Sequence, residues 1–293
     1  MGLNTVTHAS EQNPPAILIT GASSGIGEAC ALELDEQGFR IFAAVRSETT
    51  AERLRESSSE RLTPVILDVT DAPSIAAAAE LVRDTVGEAG LAGLVNNAGI
   101  AIVGPLELLP LDALRRQFEV NVIGQIAVTQ AMMPLLRTAK GRIVNVSSIN
   151  GAISPPYFGP YASSKFAIEA LSDALRGELR QWGIHVSVVA PGPVRTPIWG
   201  KTLSTSDQLS ESVSQESLEL YKTHIDVVDR LPNKVLKEAM PMQWVVDAIV
   251  HALTAQRPKI RYYITWRTRL TFRAFRMVPD VIRDWVVRRE MGI

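Results

Sequence analysis

The sequence predicts an α/β fold, a doubly wound seven-stranded parallel sheet with helices on both faces. The main observation is a rhythm: from Ala16 onward, short β-branched runs alternate with longer alanine- and leucine-rich stretches of helical period. Strands that alternate with helices pair in parallel, because each helix carries the chain back to the same end of the sheet. A length of 293 residues, 46% of them hydrophobic, suits one domain with a large core.

Seven short runs are predicted to be strands, because each is rich in Val, Ile, Leu or aromatic residues. In order they are AILIT at 16–20, RIFAAV at 40–45, TPVIL at 63–67, LAGLV at 91–95, RIVNV at 142–146, HVSVV at 185–189 and IRYYI at 260–264. One sheet accommodates all of them.

Six longer stretches repeat apolar residues at helical spacing and are predicted to be helices. They cover 25–37, 49–57, 72–86, 112–138, 161–181 and 242–255. Asp71 and Asp112 stand where side-chain N-caps are expected, and Gly38 and Gly183 stand just past helix ends, where a left-handed residue is favoured. Start and stop signals therefore support several of the helices.

Three segments fall outside this alternation and set the predicted domain limits. Residues 1–15 are polar and are expected to be a flexible tail, while residues 16–265 form the main domain. Residues 197–241 are rich in Ser, Thr and Glu, and such a long loop is either a surface insertion or a mobile lid over a bound substrate. The lid is the favoured interpretation.

The third segment, 266–293, is predicted to be a basic amphipathic C-terminal extension. From 256 to 293 there are ten Lys or Arg and three acids, a net charge of +7 that leaves −8 for the rest of the chain. Large apolar residues such as Trp266, Leu270 and Trp285 stand among the arginines. The segment could make weak peripheral contact with an anionic membrane, but packing on the protein or on a second subunit is favoured.

Composition and charge exclude several classes of protein. The net charge is −1, so the chain lacks the overall positive charge of a protein that binds nucleic acid through its phosphates. A single cysteine, Cys30, and four scattered histidines leave little material for a disulfide or a metal site. There is no membrane-spanning apolar run and no secretory signal, so a cytoplasmic location is expected.

A glycine-rich turn follows the first predicted strand and opens the first predicted helix. The free N–H groups and partial positive charge of a helix N-terminus attract a pyrophosphate, and glycines leave room for it. We therefore expect a dinucleotide to contact Gly21, Ser23, Ser24, Gly25, Ile26 and Gly27.

Two rival motifs compete for this turn. Residues 21–25 match the G-x-S-x-G elbow of serine hydrolases, but a motif after the first strand has no upstream loop to complete an oxyanion hole. A P-loop is excluded, because no Gly-Lys-Ser or Gly-Lys-Thr follows the glycines.

The end of the second predicted strand indicates which dinucleotide is bound. Eighteen residues after Gly27, where an NAD-binding chain usually places an acid for the ribose hydroxyls, stands Val45, followed by Arg46. Valine cannot accept those hydrogen bonds, whereas a guanidinium can form a bidentate pair with a 2′-phosphate. The sequence therefore predicts NADP(H) rather than NAD(H).

Tyr161 and Lys165 are four residues apart and so share one face of a predicted helix. A phenol is a poor base at neutral pH, and an adjacent positive charge should lower its pKa toward the working range. Other polar groups end strands: residues 96–99 follow the fourth, and Ser147 and Ser148 follow the fifth. Parallel strands bring these groups to one edge of the sheet.

In their order and spacing, these motifs resemble the short-chain dehydrogenase/reductase superfamily, in its single-domain form, and look nearest to members acting on steroids and retinol. The resemblance covers residues 16–264 and rests on 20–27, 96–99, Asn121, Ser148, Tyr161 with Lys165, and 191–196. It implies a Rossmann-type, NADP-binding catalytic domain. It also implies an oligomer, a homodimer or homotetramer joined through the helices after the fourth and fifth strands.

The resemblance implies four catalytic residues. Tyr161 would exchange a proton with the substrate oxygen, and Lys165 would lower the pKa of Tyr161 and hold the nicotinamide ribose. Ser148 would hydrogen-bond the carbonyl oxygen, with Ser147 as a less favoured candidate, and Asn121 would support a water chain to Lys165. Further cofactor contacts are implied for Asp68, Val69, Asn97, Ala98, Gly99, Pro191, Gly192, Val194 and Thr196.

The substrate is expected to be a lipophilic alcohol or ketone, such as a steroid- or retinoid-like compound. Apolar and aromatic residues at 149–158 and 194–199 predict this, and Ile153, Tyr157 and Trp199 are taken as substrate contacts beside Ser148 and Tyr161. These side chains could instead pack the loop onto the core. A 3-oxoacyl thioester reductase is the alternative enzyme, and a non-catalytic NADP-binding regulatory protein or a serine hydrolase are alternatives of other classes.

Overall fold

The computed structural model describes residues 14–197, 214, 216–217, 219–222, 237 and 239–291. Nearly all of the predicted tail 1–15 and most of the predicted lid 197–241, including Trp199, lie outside the described residues. The two predictions about those segments stay predictions.

The described residues form one parallel sheet of seven strands, as the sequence predicted. The strands are β1 Ala16–Ile19, β2 Arg40–Val45, β3 Leu62–Ile66, β4 Gly93–Asn96, β5 Arg142–Val146, β6 His185–Ala190 and β7 Arg261–Tyr263. Their order across the sheet is β3-β2-β1-β4-β5-β6-β7. The order reverses between β1 and β4, and the crevice at the carboxyl ends of these strands is where such sheets bind ligands.

Helices cover both faces of this sheet. They are α1 Gly25–Glu36, α2 Glu48–Glu56, α3 Ala72–Val86, α4 Leu111–Phe118, α5 Gly124–Ala139, α6 Gly159–Leu179, α7 Met242–Thr254, α8 Trp266–Met277 and α9 Asp280–Met291. Apolar residues of α1, α2 and α7 form one buried layer with the strands, and those of α3 and α5 form the other. The doubly wound fold is confirmed.

The predicted single helix over 112–138 is wrong in one respect, because it is interrupted. A π-helical turn, Glu119–Ile123, separates α4 from α5. Its Asn121 side chain turns inward and hydrogen-bonds the backbone of Ile100, a long-range contact that apolar periodicity does not reveal. Such one-turn irregularities are frequent at functional sites.

Two predicted helix caps differ in outcome. Asp71 caps α3 as predicted, because its carboxylate accepts a hydrogen bond from the Ser74 backbone N–H at 3.0 Å. Asp112 does not cap α4: the helix starts one residue earlier, with Pro110 at the cap, and Asp112 pairs with Arg115 at 2.6 Å instead. A proline before the helix sets its start, because its ring fixes the backbone angle φ.

The C-terminal segment docks on the body of the protein through one deep anchor. Phe272 of α8 is almost fully buried against Ala152 and Ala190, with Ile153 and Tyr263 beside them. Thr265 caps α8 by accepting a hydrogen bond from the Thr268 N–H at 3.1 Å. The helix therefore packs behind the loops that follow β5 and β6.

Candidate active site

A cavity of about 650 Å³ opens at the carboxyl ends of the strands. It is lined by the turn after β1, the ends of β2 and β3, the loop after β4, and the segments after β5 and β6. The lining contains these predicted cofactor contacts: Gly21, Ser23, Ser24, Gly25, Ile26, Arg46, Asp68, Val69, Asn97, Ala98, Gly99, Tyr161, Lys165, Pro191, Gly192, Val194 and Thr196. The fold therefore brings distant motifs to one place.

The glycine turn is held rigidly against the loop after β4. The Thr20 hydroxyl accepts hydrogen bonds from the backbone N–H groups of Asn97 and Ala98, both at 3.0 Å. The side-chain amide of Asn97 donates hydrogen bonds to the backbone carbonyls of Thr20 and Gly21, both at 3.1 Å. These four hydrogen bonds tie the turn to the loop after β4.

Two glycines in this turn are required by packing. Gly21 has a φ of +67°, and a Cβ there would lie 2.8 Å from the Ala98 Cα. Gly27 does not line the cavity; a Cβ there would lie 2.5 Å from the Asn97 amide nitrogen and closer still to the Gly21 carbonyl oxygen. Ser24, at the cap of α1, makes no side-chain cap bond, so its hydroxyl does not occupy the first N–H groups of the helix. This cradle fits the pyrophosphate of a dinucleotide.

Positive charge gathers at the end of the cavity near β2 and β3. Arg46 and Arg116 both line it, and both act electrostatically on Asp68. Partial burial would raise the pKa of Asp68, but hydrogen bonds from Thr70 and the two guanidinium groups outweigh burial and lower it. Arg116 was not predicted from the sequence, because no motif surrounds it and only the tertiary fold brings it near Asp68.

Tyr161 and Ser148 meet inside the cavity. Tyr161 lies in the first turn of α6, Ser148 follows β5, and both are buried. Ser148 also caps a short 3₁₀ turn, Ile149–Gly151, by accepting the Asn150 N–H at 3.2 Å. Burial raises the pKa of Tyr161, and its hydrogen bond with Ser148 opposes the rise.

Lys165 is buried one helical turn beyond Tyr161, as the spacing predicted. Its Nζ donates to the Val146 carbonyl at 2.9 Å and lies 5.7 Å from the centre of the Tyr161 ring. Burial lowers the pKa of Lys165 to about 8, and the carboxylate of Glu169 opposes the fall. The expected lowering of the Tyr161 pKa is absent in the protein alone, because burial of the phenol dominates.

A family model described as short chain dehydrogenase matches residues 15–207. The chain belongs to the short-chain dehydrogenase family. It is 41% identical over 280 residues to 17-beta-hydroxysteroid dehydrogenase type 6 of Bos taurus, covering 94% of this chain and 88% of that protein.

Two further relatives also match over most of their length. NADPH-dependent 3-dehydrocapnine reductase of Ornithobacterium rhinotracheale is 33% identical, covering 94% of this chain and 96% of that protein. Retinol dehydrogenase 16 of Mus musculus is 38% identical, covering 92% and 86%. The chain is thus an oxidoreductase of the short-chain dehydrogenase family, as the motifs predicted.

Asn121 is placed apart from the cavity lining of this short-chain dehydrogenase. Its side-chain oxygen accepts the Ile100 N–H at 2.8 Å, and its amide donates to the Ile100 carbonyl at 3.0 Å and to the Ser164 hydroxyl at 3.1 Å. These bonds engage the whole side-chain amide. Asn121 therefore joins the loop after β4 to α6, the helix that carries Tyr161 and Lys165.

The loop after β6 closes the other side of the short-chain dehydrogenase cavity. The carbonyl of Pro191 accepts a hydrogen bond from the Ile149 N–H at 2.8 Å. Val194 forms an isolated parallel β-bridge with Met240. A Cβ on Gly25 would lie 3.2 Å from the Thr196 methyl group, so this loop rests on the glycine turn. The predicted contacts at 191–196 lie beside the pyrophosphate cradle.

The apolar wall next to Tyr161 differs in part from the prediction. Ile102, Ala113, Val120 and Phe158 line the cavity. Ile153 is drawn away from it, because it packs beside Phe272 of α8.

Tyr157 also lies outside the cavity lining. It has a φ of 70° and packs on the cluster of Ala101, Val103, Phe158 and Tyr161, so it contacts residues of the wall without lining the cavity itself. Within the predicted stretch 149–158, Ile149, Asn150, Pro155 and Phe158 line the cavity, and Ile153 and Tyr157 do not.

The serine hydrolase alternative lacks a histidine base beside Ser23 in the described part of the chain. Ser23 lines the cavity, but His185 is exposed at the opposite end of β6, and His251 hydrogen-bonds the Tyr262 hydroxyl at 2.8 Å. Neither of these described histidines lines the cavity. The G-x-S-x-G match is therefore a by-product of the glycine turn.

Proposed function

We propose that this chain is an NADP(H)-dependent oxidoreductase that interconverts a secondary alcohol and a ketone, or an alcohol and an aldehyde, on a lipophilic small molecule such as a steroid- or retinoid-like compound. The supporting observation is the convergence of Ser148, Tyr161 and Lys165 in a cavity that also contains the glycine cradle. The cofactor, when bound, supplies the hydride. The protein supplies alignment, proton transfer and stabilisation of charge.

The residues divide the chemistry between them. As a carbonyl carbon is reduced, negative charge grows on its oxygen, and the hydroxyls of Ser148 and Tyr161 can donate hydrogen bonds to it. Tyr161 then gives up its proton to form the alcohol, and Lys165, held by the Val146 carbonyl, stabilises the phenolate that remains. In the oxidative direction the same groups act in reverse.

Replacing Tyr161 by Phe tests this assignment. Turnover should fall by a factor of at least about 10³, because the proton donor is lost, while NADPH binding measured by fluorescence should change less than twofold. A Tyr157→Phe control alters a neighbouring tyrosine outside the cavity lining and should keep most of the activity. Full activity in Tyr161→Phe would refute the assignment.

The choice of NADP(H) rests on Arg46, on Arg116 and on the absence of an acid at the end of β2. A relative that matches nearly the whole chain is named as NADPH-dependent. Arg46→Asp should raise the KM for NADPH at least about tenfold more than that for NADH, because it removes a charge-assisted bond and adds repulsion. Arg55→Asp, on the neighbouring α2, serves as the control; equal changes for both cofactors would contradict the proposal.

The lipophilic substrate class is supported by the apolar lining near Tyr161 and by the names of the steroid and retinol dehydrogenases among the relatives. A panel of steroid ketones, retinal and 3-oxoacyl thioesters, followed by NADPH consumption, separates the classes. We expect the lipophilic ketones or aldehydes to give the largest kcat/KM. Preference for the thioesters would favour the alternative reductase, and NADPH binding without turnover on any of them would favour a regulatory protein.

We propose a homodimer or homotetramer joined through α4, α5 and α6. Leu111 of α4, Ile123 of the π-helical turn before α5 and Phe166 of α6 are apolar side chains exposed to solvent. Ile123→Asp should reduce the mass measured by light scattering to that of a monomer. An unchanged mass, or a monomeric parent, would contradict this interface.

We also propose a cytoplasmic protein with weak peripheral membrane contact through α8 and α9. Trp266, Leu270 and Trp285 are exposed there beside arginines. In the described residues, no helix combines the length and apolar character that a membrane crossing needs. Sedimentation with vesicles containing anionic lipid should fall for Trp266→Ser/Trp285→Ser relative to the parent, and fractionation of cells should recover most of the protein in the cytosol.

A further inference from the structure

A buried ion pair connects α6 to β7 behind the active site. The Glu169 carboxylate is almost fully buried, and its Oε2 accepts a hydrogen bond from the Arg261 Nε at 2.8 Å. Arg261 also donates from Nη2 to Asp173, one turn further along α6, at 2.8 Å. Moving a carboxylate from water into the interior is unfavourable, and the Arg261 guanidinium compensates for that cost here.

Glu169 follows Lys165 by one helical turn, so the two side chains share a face of α6. Both are buried, which strengthens any electrostatic interaction between them. The second oxygen of Glu169, Oε1, has no hydrogen-bond partner among the described residues. No donor among the described residues therefore stabilises the negative charge of Glu169 at this second oxygen.

The turn after Ser148 packs directly on this part of α6. A Cβ on Gly151 would lie 2.9 Å from the Glu169 Cγ and 3.3 Å from the Lys165 carbonyl oxygen. Glu169 thus lies beneath the segment that carries Ser148, and Arg261 clamps it from β7.

We propose that Glu169, clamped by Arg261, is a positioning residue whose buried carboxylate stabilises the Lys165 ammonium in the active site. The proposal rests on the role proposed above for Lys165. Among the described residues, the charged groups facing Glu169 are Lys165 and Asp173 on its own helix and Arg261 on β7, with Arg176 paired to Asp173 on the outer side. Burial lowers the pKa of Lys165, and Glu169 is the group that opposes it.

The test compares Glu169→Gln with Asp173→Asn. Each variant replaces a carboxylate that binds Arg261 by an amide of the same shape, but Asp173 lies two turns from Lys165 and is partly exposed. NMR of protein labelled at lysine Cε reads the ionisation of Lys165 directly, and the signal missing in Lys165→Arg identifies it. This readout does not depend on turnover, so it stays informative if the proposed reaction is wrong.

Glu169→Gln should move the ionisation of Lys165 to lower pH by about one unit, and the alkaline side of the kcat/KM profile should move with it. Asp173→Asn should leave both within error of the parent. The double variant Glu169→Gln/Arg261→Gln removes both members of the buried ion pair, so neither is left without its partner, and it guards against failure of the single variant to fold. In the double variant the ionisation of Lys165 should also move to lower pH, but by less than in Glu169→Gln. The shift is smaller because the positive charge of Arg261, which repels the Lys165 ammonium, has also been removed.

Two results would overturn the proposal. One is a Lys165 ionisation in folded Glu169→Gln that coincides with that of Asp173→Asn. The other is a double variant whose ionisation equals that of the parent or moves to higher pH.

Discussion

Replacing Gly27 by Ala separates helix propensity from the packing of the cofactor cradle. Gly27 is a helical residue of α1, and alanine in a helix is normally more favourable than glycine by about 0.5–1 kcal/mol. Here the new Cβ would lie 2.5 Å from the Asn97 amide nitrogen, roughly 1 Å inside the usual contact distance of about 3.5 Å. The Gly21 carbonyl is closer still, so neither the turn nor Asn97 can stay in place.

The cost follows from what must move. Overpacking in a rigid site costs about 1–3 kcal/mol, and displacing Asn97 also strains its two hydrogen bonds to the turn, each contributing about 1 kcal/mol. These losses exceed the gain in helix propensity. We therefore expect Gly27→Ala to lower the free energy of unfolding by about 1–3 kcal/mol and to weaken NADPH binding at least about tenfold.

Gly177→Ala is the matched control, because Gly177 also lies within a helix. A Cβ there meets no atom within 4 Å. Urea unfolding should show Gly177→Ala more stable than the parent by about 0.5–1 kcal/mol, with unchanged NADPH affinity by fluorescence titration. If Gly27→Ala were stabilised to the same extent and still bound NADPH normally, the reasoning about the cradle would be refuted.

Three further predictions concern pH and packing. Ser148→Ala should slow turnover by about 10²-fold and move the pH optimum upward, because the hydrogen bond that opposes the raised pKa of Tyr161 is lost; an unmoved optimum would argue against it. The folded-state pKa of Lys165, about 8, lies below its unfolded value of about 10.4, so the unfolded chain binds more protons between them and stability should rise with pH across that window. Lys165→Met should abolish this rise, measured by urea unfolding at pH 8 and pH 9.5. Phe272→Ala should cost about 3–5 kcal/mol of stability, whereas the exposed Leu270→Ala should change it by less than about 0.5 kcal/mol, and similar costs would contradict the docking of α8.

The sheet was predictable because its signals are local. A run of β-branched residues followed by a helical period marks a strand and its crossover, and every predicted strand is present within three residues at each end. The π-helical turn at Asn121 was not predictable, since it depends on a hydrogen bond to Ile100, twenty-one residues away. The start of α4 was missed for a simpler reason: Pro110 outweighed the capping preference of Asp112.

The candidate site likewise has features that the sequence predicted and features that it did not. The glycine turn and the placement of Tyr161 and Lys165 depend on residues only a few positions apart. Both could therefore be predicted from the sequence. Arg116 carries no motif and reaches the cavity only because the fold brings α4 to the side of the cavity that contains Asp68. The direction of the Tyr161 pKa shift depends on burial, which no local spacing encodes.

The order of residues along the chain thus specified the fold class, the glycine turn and the placement of Tyr161 and Lys165 on one helix face, because each depends on backbone preferences over one or two turns. Folding settled which side chains face the cavity and how their charges behave. Ile153 packs toward Phe272, and Glu169 meets Arg261 from a strand ninety-two residues later. Such contacts arise from the packing of distant elements, and the low polarity of the interior they create sets the strength of each charge within it.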